Sequence, residues 1–525
     1  MTVRVLISDP LSPRAVEIFR TRGIEVEELT ALRPDELRAV IDRFDGLAVR
    51  SATRVTPALL SAAQCLRVIG RAGIGVDNID LACATARGIV VMNTPFGNAI
   101  TTAEHAIAMM FALAREIPAA SASTRAGRWE KSRFLGVELA GKTLGVVGCG
   151  NIGAIVVDRA LGLKMRVVAS DPFLTPERAQ ALGAEKVALE ELFERADFIT
   201  LHAPLTEQTR HLLDEAALAR CRRGVRIINC ARGGLVDEAA LLQALRSGQV
   251  AGAALDVFAV EPALHNPLFD LEQVVCTPHL GASTIEAQEK VALQIAAQMS
   301  DFLLAGAVSN ALNMPSVSAE DAPRLRPYLR LAELLGSFVG QIDTGAVRSI
   351  QIGYEGHVAQ LNTRPLTHTV LAGLLRPSAA FVNSVNAPGI ARDRGIRLDE
   401  TRTETEGEFH TRMDLRVTGE KVGIHLAGTL FSGRPRLIEI DGVPLESELT
   451  PRMLFVRNKD APGFIGSLGS ALGQAGVNIA NFNLGRARPG ADAVCLVAVD
   501  EEIPAPLLRR IRELPGVIGV HPLQF

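Results

Sequence analysis

Aromatic side chains make up only 4% of this 525-residue chain, with one tryptophan, Trp129, and two tyrosines. Its cores must therefore be built from Ala, Val, Leu and Ile. That suits α/β layers, whose strands are buried on both faces and read as aliphatic runs. Neither charge is in excess: 55 basic residues face 58 acidic ones, so the chain lacks the basic field of a nucleic-acid binder, and no such partner is expected. Its seven cysteines include no CxxC pair. They read as reduced thiols in a cytoplasmic protein, and no metal is expected. No apolar run approaches the roughly 20 residues of a membrane span. The most apolar stretch, AIAMMFALA at 106–114, is flanked by Glu104, His105 and Arg115 and reads as a buried helix, so no membrane partner is expected. MTVRVLISDP runs directly into a strand-like segment, which is not the pattern of a signal peptide.

Strand and helix patterns alternate through the first hundred residues, with strands at 3–8, 24–29, 46–50, 67–71 and 89–93. This alternation predicts a parallel sheet. One long helix is expected over 99–126. A second βαβ series begins at KTLGVVGCGNIG, with strands at 143–148, 166–171, 198–202, 226–231, 251–258 and 274–279. The amphipathic stretch after Ser283 reads as a helix that returns the chain to the first domain. Residues 309–327, rich in Pro, Ser and Asn, read as a linker, with a helix from 328 opening an α+β region. The last 75 or so residues read as βαββαβ, a ferredoxin-like unit. Four domains are expected: 1–97 with 284–310, 98–283, 318–447 and 450–525.

Gly148, Gly150 and Gly153 fit GxGxxG between an aliphatic strand and a helix opening at Asn151 and Ile152. The first glycine suits a tight turn, the second a close approach to pyrophosphate, and the third the packing of helix on strand. Asp171 ends the next strand, 18 residues after Gly153, where a carboxylate accepts from ribose hydroxyls and repels a 2′-phosphate. NAD is the expected cofactor.

Reducing a 2-oxo acid requires a cation for the carboxylate and a proton donor for the carbonyl. Arg232, Glu261 and His279 each follow or end a strand, where open α/β sheets place ligands. Arg232 suits a bidentate grip on carboxylate, His279 suits acid–base work, and Glu261 would orient the imidazole.

The segments NCARGGLVDEAAL, GAALDVFAVEP and TPHLGAST, with RAGIGVDNID and NTPFGNAITTAEHAIAMM, resemble the signatures of the D-isomer-specific 2-hydroxyacid dehydrogenases over residues 1–310. The resemblance implies a Rossmann-like nucleotide-binding domain and a discontinuous flavodoxin-like substrate domain. It gives Arg232, Glu261 and His279 the same catalytic roles, and it adds Ala203, Cys230, Ala231, Asp256 and Gly281 on the cofactor side. Arg50, Arg71, Gly73 and Asn98 match its substrate side, with Lys131 and Arg133 as further cations in the loop beside Trp129.

The stretch DAPGFIGSLGSALGQAGVNI resembles an ACT domain, and an extra domain of about 120 residues precedes it. Together they are similar to the long D-3-phosphoglycerate dehydrogenase branch of the family. That likeness implies oxidation of 3-phospho-D-glycerate to 3-phosphooxypyruvate, the opening step of L-serine biosynthesis. It also implies an L-serine effector site at Asn458, Asp460 and Asn478, and a homodimer or homotetramer associating through the helix at 99–126. The alternatives are a glyoxylate or hydroxypyruvate reductase, a D-lactate-type dehydrogenase, or an NAD-sensing corepressor-like protein.

Overall fold

The computed structural model describes residues 2–318, 320–379, 381–405 and 407–525. Its contacts divide the chain into two units. One comprises Met1–Arg71, Gly75–Asn93 and Ile295–Phe525; the other comprises Ala72–Ile74 and Thr94–Gln294.

The first unit opens with five parallel strands, Arg4–Ile7, Glu25–Glu28, Gly46–Val49, Val68–Arg71 and Val90–Met92. In space they run second, first, third, fourth, fifth, the flavodoxin-like order. Leu6, Leu47, Val49, Ile69 and Val91 fill one face. The helix Ile285–Ala305 reaches this unit, and its Ile295 and Met299 are fully buried.

The α+β region of the same unit packs the helices Ala322–Gly340 and Arg364–Leu375 against a six-stranded sheet. Here the expected linker gives way early. Pro323 lies in the first turn of a helix that begins at Ala322, where a missing N–H costs nothing. A high proline content therefore marked a helix start as well as a connector.

The terminal strands Arg452–Lys459, Ile479–Arg486, Asp492–Val499 and Val517–Gln524, with two helices, form the βαββαβ unit. Alternation along its strands serves two cores. Leu454, Val456, Cys495 and Val497 face the unit's own helices. Met453, Phe455, Leu496 and Ala498 join the α+β region's core, where the Phe455 ring lies 5.2 Å from that of Phe338.

The second unit holds seven parallel strands, Thr143–Val147, Arg166–Ser170, Glu185–Lys186, Phe198–Leu201, Val225–Asn229, Val250–Leu255 and Val274–Cys276. Their spatial order is seventh, sixth, fifth, fourth, first, second, third, a Rossmann-like sheet. The two-residue strand Glu185–Lys186 was not anticipated, being too short to show alternation. The single helix expected over 99–126 is two, Ala99–Ala114 and Ile117–Arg125. Glu116 is left-handed, at φ 53°, and Pro118 lies in the new helix's first turn. No helix among the described residues is long and apolar enough to cross a membrane.

Candidate active site

The glycine loop joins the strand Thr143–Val147 to the helix Asn151–Gly162. Gly153 is required by packing, since a Cβ there would stand 2.1 Å from the Gly148 carbonyl oxygen. At Gly150, the N-cap, a Cβ would meet nothing within 4 Å. The first-turn N–H groups of Asn151 and Ile152 thus lie beside open space, a site suited to phosphate. Beside Gly148 runs the backbone of His202 and Ala203, 2.7–2.8 Å from where its Cβ would be. Burial pushes the His202 imidazole down to about 4, and its Nε2 pairs with Thr200 Oγ1 at 2.9 Å.

Asp171 follows the strand Arg166–Ser170. One carboxylate oxygen accepts from the Cys149 N–H at 2.8 Å and the other from the Phe173 N–H at 2.7 Å. These bonds fix the carboxylate at the rim of the glycine loop with acceptor capacity remaining. The donors and acceptors here fit a dinucleotide: backbone N–H groups for pyrophosphate and a held carboxylate for ribose hydroxyls.

The acid–base pair is assembled. His279 Nδ1 lies 2.7 Å from Glu261 Oε2, while Glu261 Oε1 accepts from the Phe258 N–H at 3.0 Å. Burial pushes the Glu261 carboxyl up, but the His279 and Phe258 hydrogen bonds and the charges of His279 and Arg232 outweigh it. The carboxyl is held below its ordinary range. Arg232 follows Cys230 and Ala231 at the end of the strand Val225–Asn229, and Asn229 Nδ2 donates to its carbonyl at 2.9 Å. At Gly233 a Cβ would fall 1.9 Å from the Phe258 carbonyl carbon. Only glycine lets the Arg232 loop lie against the loop that carries Glu261.

Asp256 is fully buried, and it lies beneath His279 as a hub. Its carboxylate accepts from Thr277 Oγ1 at 2.6 Å, the Leu280 N–H at 2.7 Å and the Gly281 N–H at 2.8 Å. Its carbonyl accepts from the His279 N–H at 2.8 Å. Burial alone would raise its carboxyl, yet the donors of His105, Thr277 and Leu280 bring it below the ordinary range. The potential ligand atoms of His105, Cys230 and Asp256 lie within 4.8 Å of one another, as metal ligands would. The carboxylate oxygens are already engaged by these donors, and burial with the nearby Asp256 pushes the Cys230 thiol far up, so a hydrogen-bonded hub accounts for the cluster.

On the substrate side of this second unit, the Gly73 carbonyl accepts from the Thr94 N–H at 3.0 Å. Asn98 is buried, and its Oδ1 has no hydrogen-bond partner. Lys131 is exposed. Arg133 differs from a waiting phosphate ligand: its guanidinium donates to both oxygens of Glu272 at 2.6 and 2.7 Å and to Glu130 at 3.2 Å. In the first unit, Arg71 ends the strand Val68–Arg71, and Arg50 follows the strand Gly46–Val49. The buried Asp9 accepts from the Arg50 N–H at 2.6 Å and the Thr53 N–H at 3.1 Å, shaping that loop.

The three expected effector residues are largely engaged. Asn458 is buried, with Nδ2 donating to the Lys459 carbonyl and Oδ1 unpartnered. Asp460 accepts from Arg486 at 2.8 Å and from the Gly490 N–H at 3.0 Å, and these donors hold its carboxyl below the ordinary range. The exposed Asn478 donates to Asp500 at 2.6 Å.

Sequence reasoning missed Gly233, Asp9 and Glu238. Glu238 accepts from the Ala259 N–H at 2.6 Å and from Asn266 at 2.8 Å, anchoring the loop that bears Glu261. Gly233 and Glu238 lie in the same segment as Arg232, and Asp9 lies two residues past the first strand's carboxyl end, the kind of position that signalled the catalytic residues elsewhere.

Residues 107–281 match the family described as D-isomer specific 2-hydroxyacid dehydrogenase, NAD binding domain. Residues 324–441 match the D-3-phosphoglycerate dehydrogenase intervening domain, and 452–516 the ACT domain. The chain is 40% identical over 521 residues to D-3-phosphoglycerate dehydrogenase of Bacillus subtilis, covering 98% of each. It is 41% identical over 520 residues to that of Methanocaldococcus jannaschii, covering 99% of each. Among solved structures, D-lactate dehydrogenase from Aquifex aeolicus, complexed with NAD and lactic acid, is 26% identical at a TM-score of 0.54. That alignment covers 60% of this chain and all of the other.

Proposed function

This chain belongs to the D-3-phosphoglycerate dehydrogenase family, and from that premise we propose how its own residues carry the reaction. It is an NAD-dependent dehydrogenase that oxidises 3-phospho-D-glycerate to 3-phosphooxypyruvate, the entry to L-serine synthesis. The observation that carries the residue assignment is the 2.7 Å pair between His279 and Glu261, held beside Arg232.

In this reading bound NAD would supply the acceptor for the hydride leaving C2 of the hydroxy acid. His279 takes the hydroxyl proton on Nε2. Glu261 accepts from Nδ1–H, which selects the tautomer with a basic Nε2 and stabilises the cation formed when it is protonated. Arg232 grips the substrate carboxylate through parallel hydrogen bonds and draws charge from the forming carbonyl. Gly148, Gly150, Asn151, Ile152 and Gly153 would hold the pyrophosphate and Asp171 the ribose, while Ala203, Cys230, Ala231, Asp256 and Gly281 would line the cofactor's path. Arg50 and Arg71 bind the substrate phosphate, with Gly73 and Asn98 placing the rest of the molecule. Of the loop cations, Lys131 suits the phosphate better than Arg133, whose guanidinium is already engaged by Glu272 and Glu130.

The four expected domains belong to this proposal. L-serine acts on the ACT domain through Asn458, Asp460 and Asn478, with the unpartnered Asn458 Oδ1 as support. The chain forms a homodimer or homotetramer, which the exposed apolar Ile100, Phe111, Ile117, Trp129 and Leu135 support. A cytoplasmic location accords with seven cysteines that form no disulfide.

The test is steady-state NADH formation from 3-phosphoglycerate by wild type and His279→Gln, with NAD affinity measured by fluorescence titration. We expect kcat to fall about a thousandfold with NAD affinity unchanged. A kcat within tenfold of wild type would remove His279 from the chemistry.

A further inference from the structure

His279 occupies a conformation that a non-glycine side chain rarely adopts, φ 57°, and its side chain is half exposed. Something beneath it must impose that backbone. The constraint comes from both sides of the loop: Thr277 before His279, and Leu280 and Gly281 after it, all donate to the carboxylate of Asp256. The Asp256 carboxylate has two neighbours that can titrate among the described residues. Cys230 comes from a strand end, and its thiol is pushed up by burial and by Asp256. His105 comes from the helix Ala99–Ala114, with Nε2 3.2 Å from Asp256 Oδ1 and 3.3 Å from Thr277 Oγ1.

Three residues before His105, and so on the same helix face, Thr102 Oγ1 donates to the Gly281 carbonyl at 2.9 Å. One helix thus straps the catalytic loop twice, through a side chain to Asp256 and directly to the loop backbone. We propose that His105, with Thr102, is a positioning residue for hydride transfer: His105 keeps Asp256 an ionised acceptor, and Asp256 holds His279 in its left-handed conformation.

This inference rests on His279 being the acid–base group. Its logic is electrostatic. A fully buried carboxylate needs compensating donors to stay charged, and His105 Nε2 supplies one from the helix side. A protonated Asp256 would accept less strongly from the loop amides, and His279 would lose its fixed geometry. Among the described residues His105 hydrogen-bonds Asp256 and Thr277 and neither the pyrophosphate loop nor Asp171, so its loss should affect turnover more than cofactor affinity.

The experiment compares the full-length wild type with His105→Leu, His105→Gln and Thr102→Val. For each it reads kcat, KM for NAD and the pH dependence of kcat, with His279→Gln assayed alongside. His105→Leu should lower kcat about tenfold, with KM for NAD within twofold, because a displaced acid–base group costs turnover. Its acid-side loss of activity should begin at higher pH than in the wild type, as Asp256 becomes easier to protonate. His105→Gln, which keeps an N–H donor of similar reach, should restore kcat to within about threefold of wild type. Thr102→Val should lower kcat about threefold without moving the pH profile.

The inference is overturned if His105→Leu stays within twofold of wild type. Equal losses in the Leu and Gln variants with an unmoved pH profile would also overturn it, since that is the signature of packing alone. Should His105→Leu not fold, the Gln and Thr102→Val variants decide, and unchanged kcat in Thr102→Val counts against the strap. If His279→Gln itself retains activity, the underlying assignment of the acid–base group fails, whatever His105 does.

Discussion

The nucleotide-binding region and the terminal βαββαβ region both carry residues that the sequence marks as functional, yet they present them in opposite states. In the first, Glu261 already receives His279, Asp171 is fixed by two backbone N–H groups, and Asp256 braces the loop that carries His279. The marked side chains there are held while their working atoms keep capacity for a substrate. In the second, Asp460 is paired with Arg486 and Asn478 with Asp500, so a ligand would have to displace partners. Catalysis requires groups placed before the substrate arrives, because reorganisation during the reaction adds to the barrier. A regulatory site has no such need: an effector that must displace a neighbour can bias two states by doing so.

This contrast is open to attack at several points. The largest effect should come from Arg232→Ala, which we expect to lower kcat/KM for 3-phosphoglycerate about a thousandfold, through loss of a charged bidentate contact. A decrease below tenfold in steady-state assays would mean the carboxylate is gripped elsewhere. Next, Glu261→Gln should lower kcat about a hundredfold, since the amide still orients the imidazole but no longer stabilises its cation. Asp171→Ala should raise KM for NAD about tenfold and leave kcat near wild type, because it removes hydrogen bonds to a part of the cofactor remote from the chemistry.

A smaller, pH-dependent effect should come from His202. Its folded-state pKa, about 4, lies below the ordinary value of 6.5, so the unfolded chain binds the proton more readily. Stability is therefore full above pH 6.5 and declines as the pH falls towards 4, by up to about 3 kcal/mol. Denaturant melts at pH 7 and 4.5 should show the loss, and His202→Gln should flatten it. The smallest effect should come from Arg486→Ala, which frees Asp460. Activity without effector should stay within twofold, while the response to millimolar L-serine should change. An unchanged response would detach Asp460 from effector binding.

The same contrast bears on what was legible in the chain. The strand ends carrying Arg232, Glu261 and His279, the glycine loop and the parallel strands of the first sheet follow from local pattern and spacing, because parallel sheets place ligands at carboxyl ends. The partners that decide what a charge can do are not local. The pairing of Arg133 was hidden because Glu272 lies 139 residues away along the chain. The bracing role of Asp256 was hidden because its donors, at 105, 277, 280 and 281, meet only in the folded unit. The helix break at Glu116 was hidden because Pro118 is as compatible with a helix start as with a kink, and only the left-handed φ distinguishes them. Spacing reports where side chains emerge, and burial with long-range pairing reports whether they are available.

The central claim is that the prebuilt site turns over a phosphorylated 2-hydroxy acid. The most direct test is the ratio of kcat/KM for 3-phosphooxypyruvate to that for hydroxypyruvate, followed by NADH consumption with the full-length protein. The account predicts a ratio of at least about a hundred, the discrimination that one charged phosphate contact site supplies. A ratio near one, or a preference for hydroxypyruvate, would contradict it and remove the phosphate roles of Arg50 and Arg71.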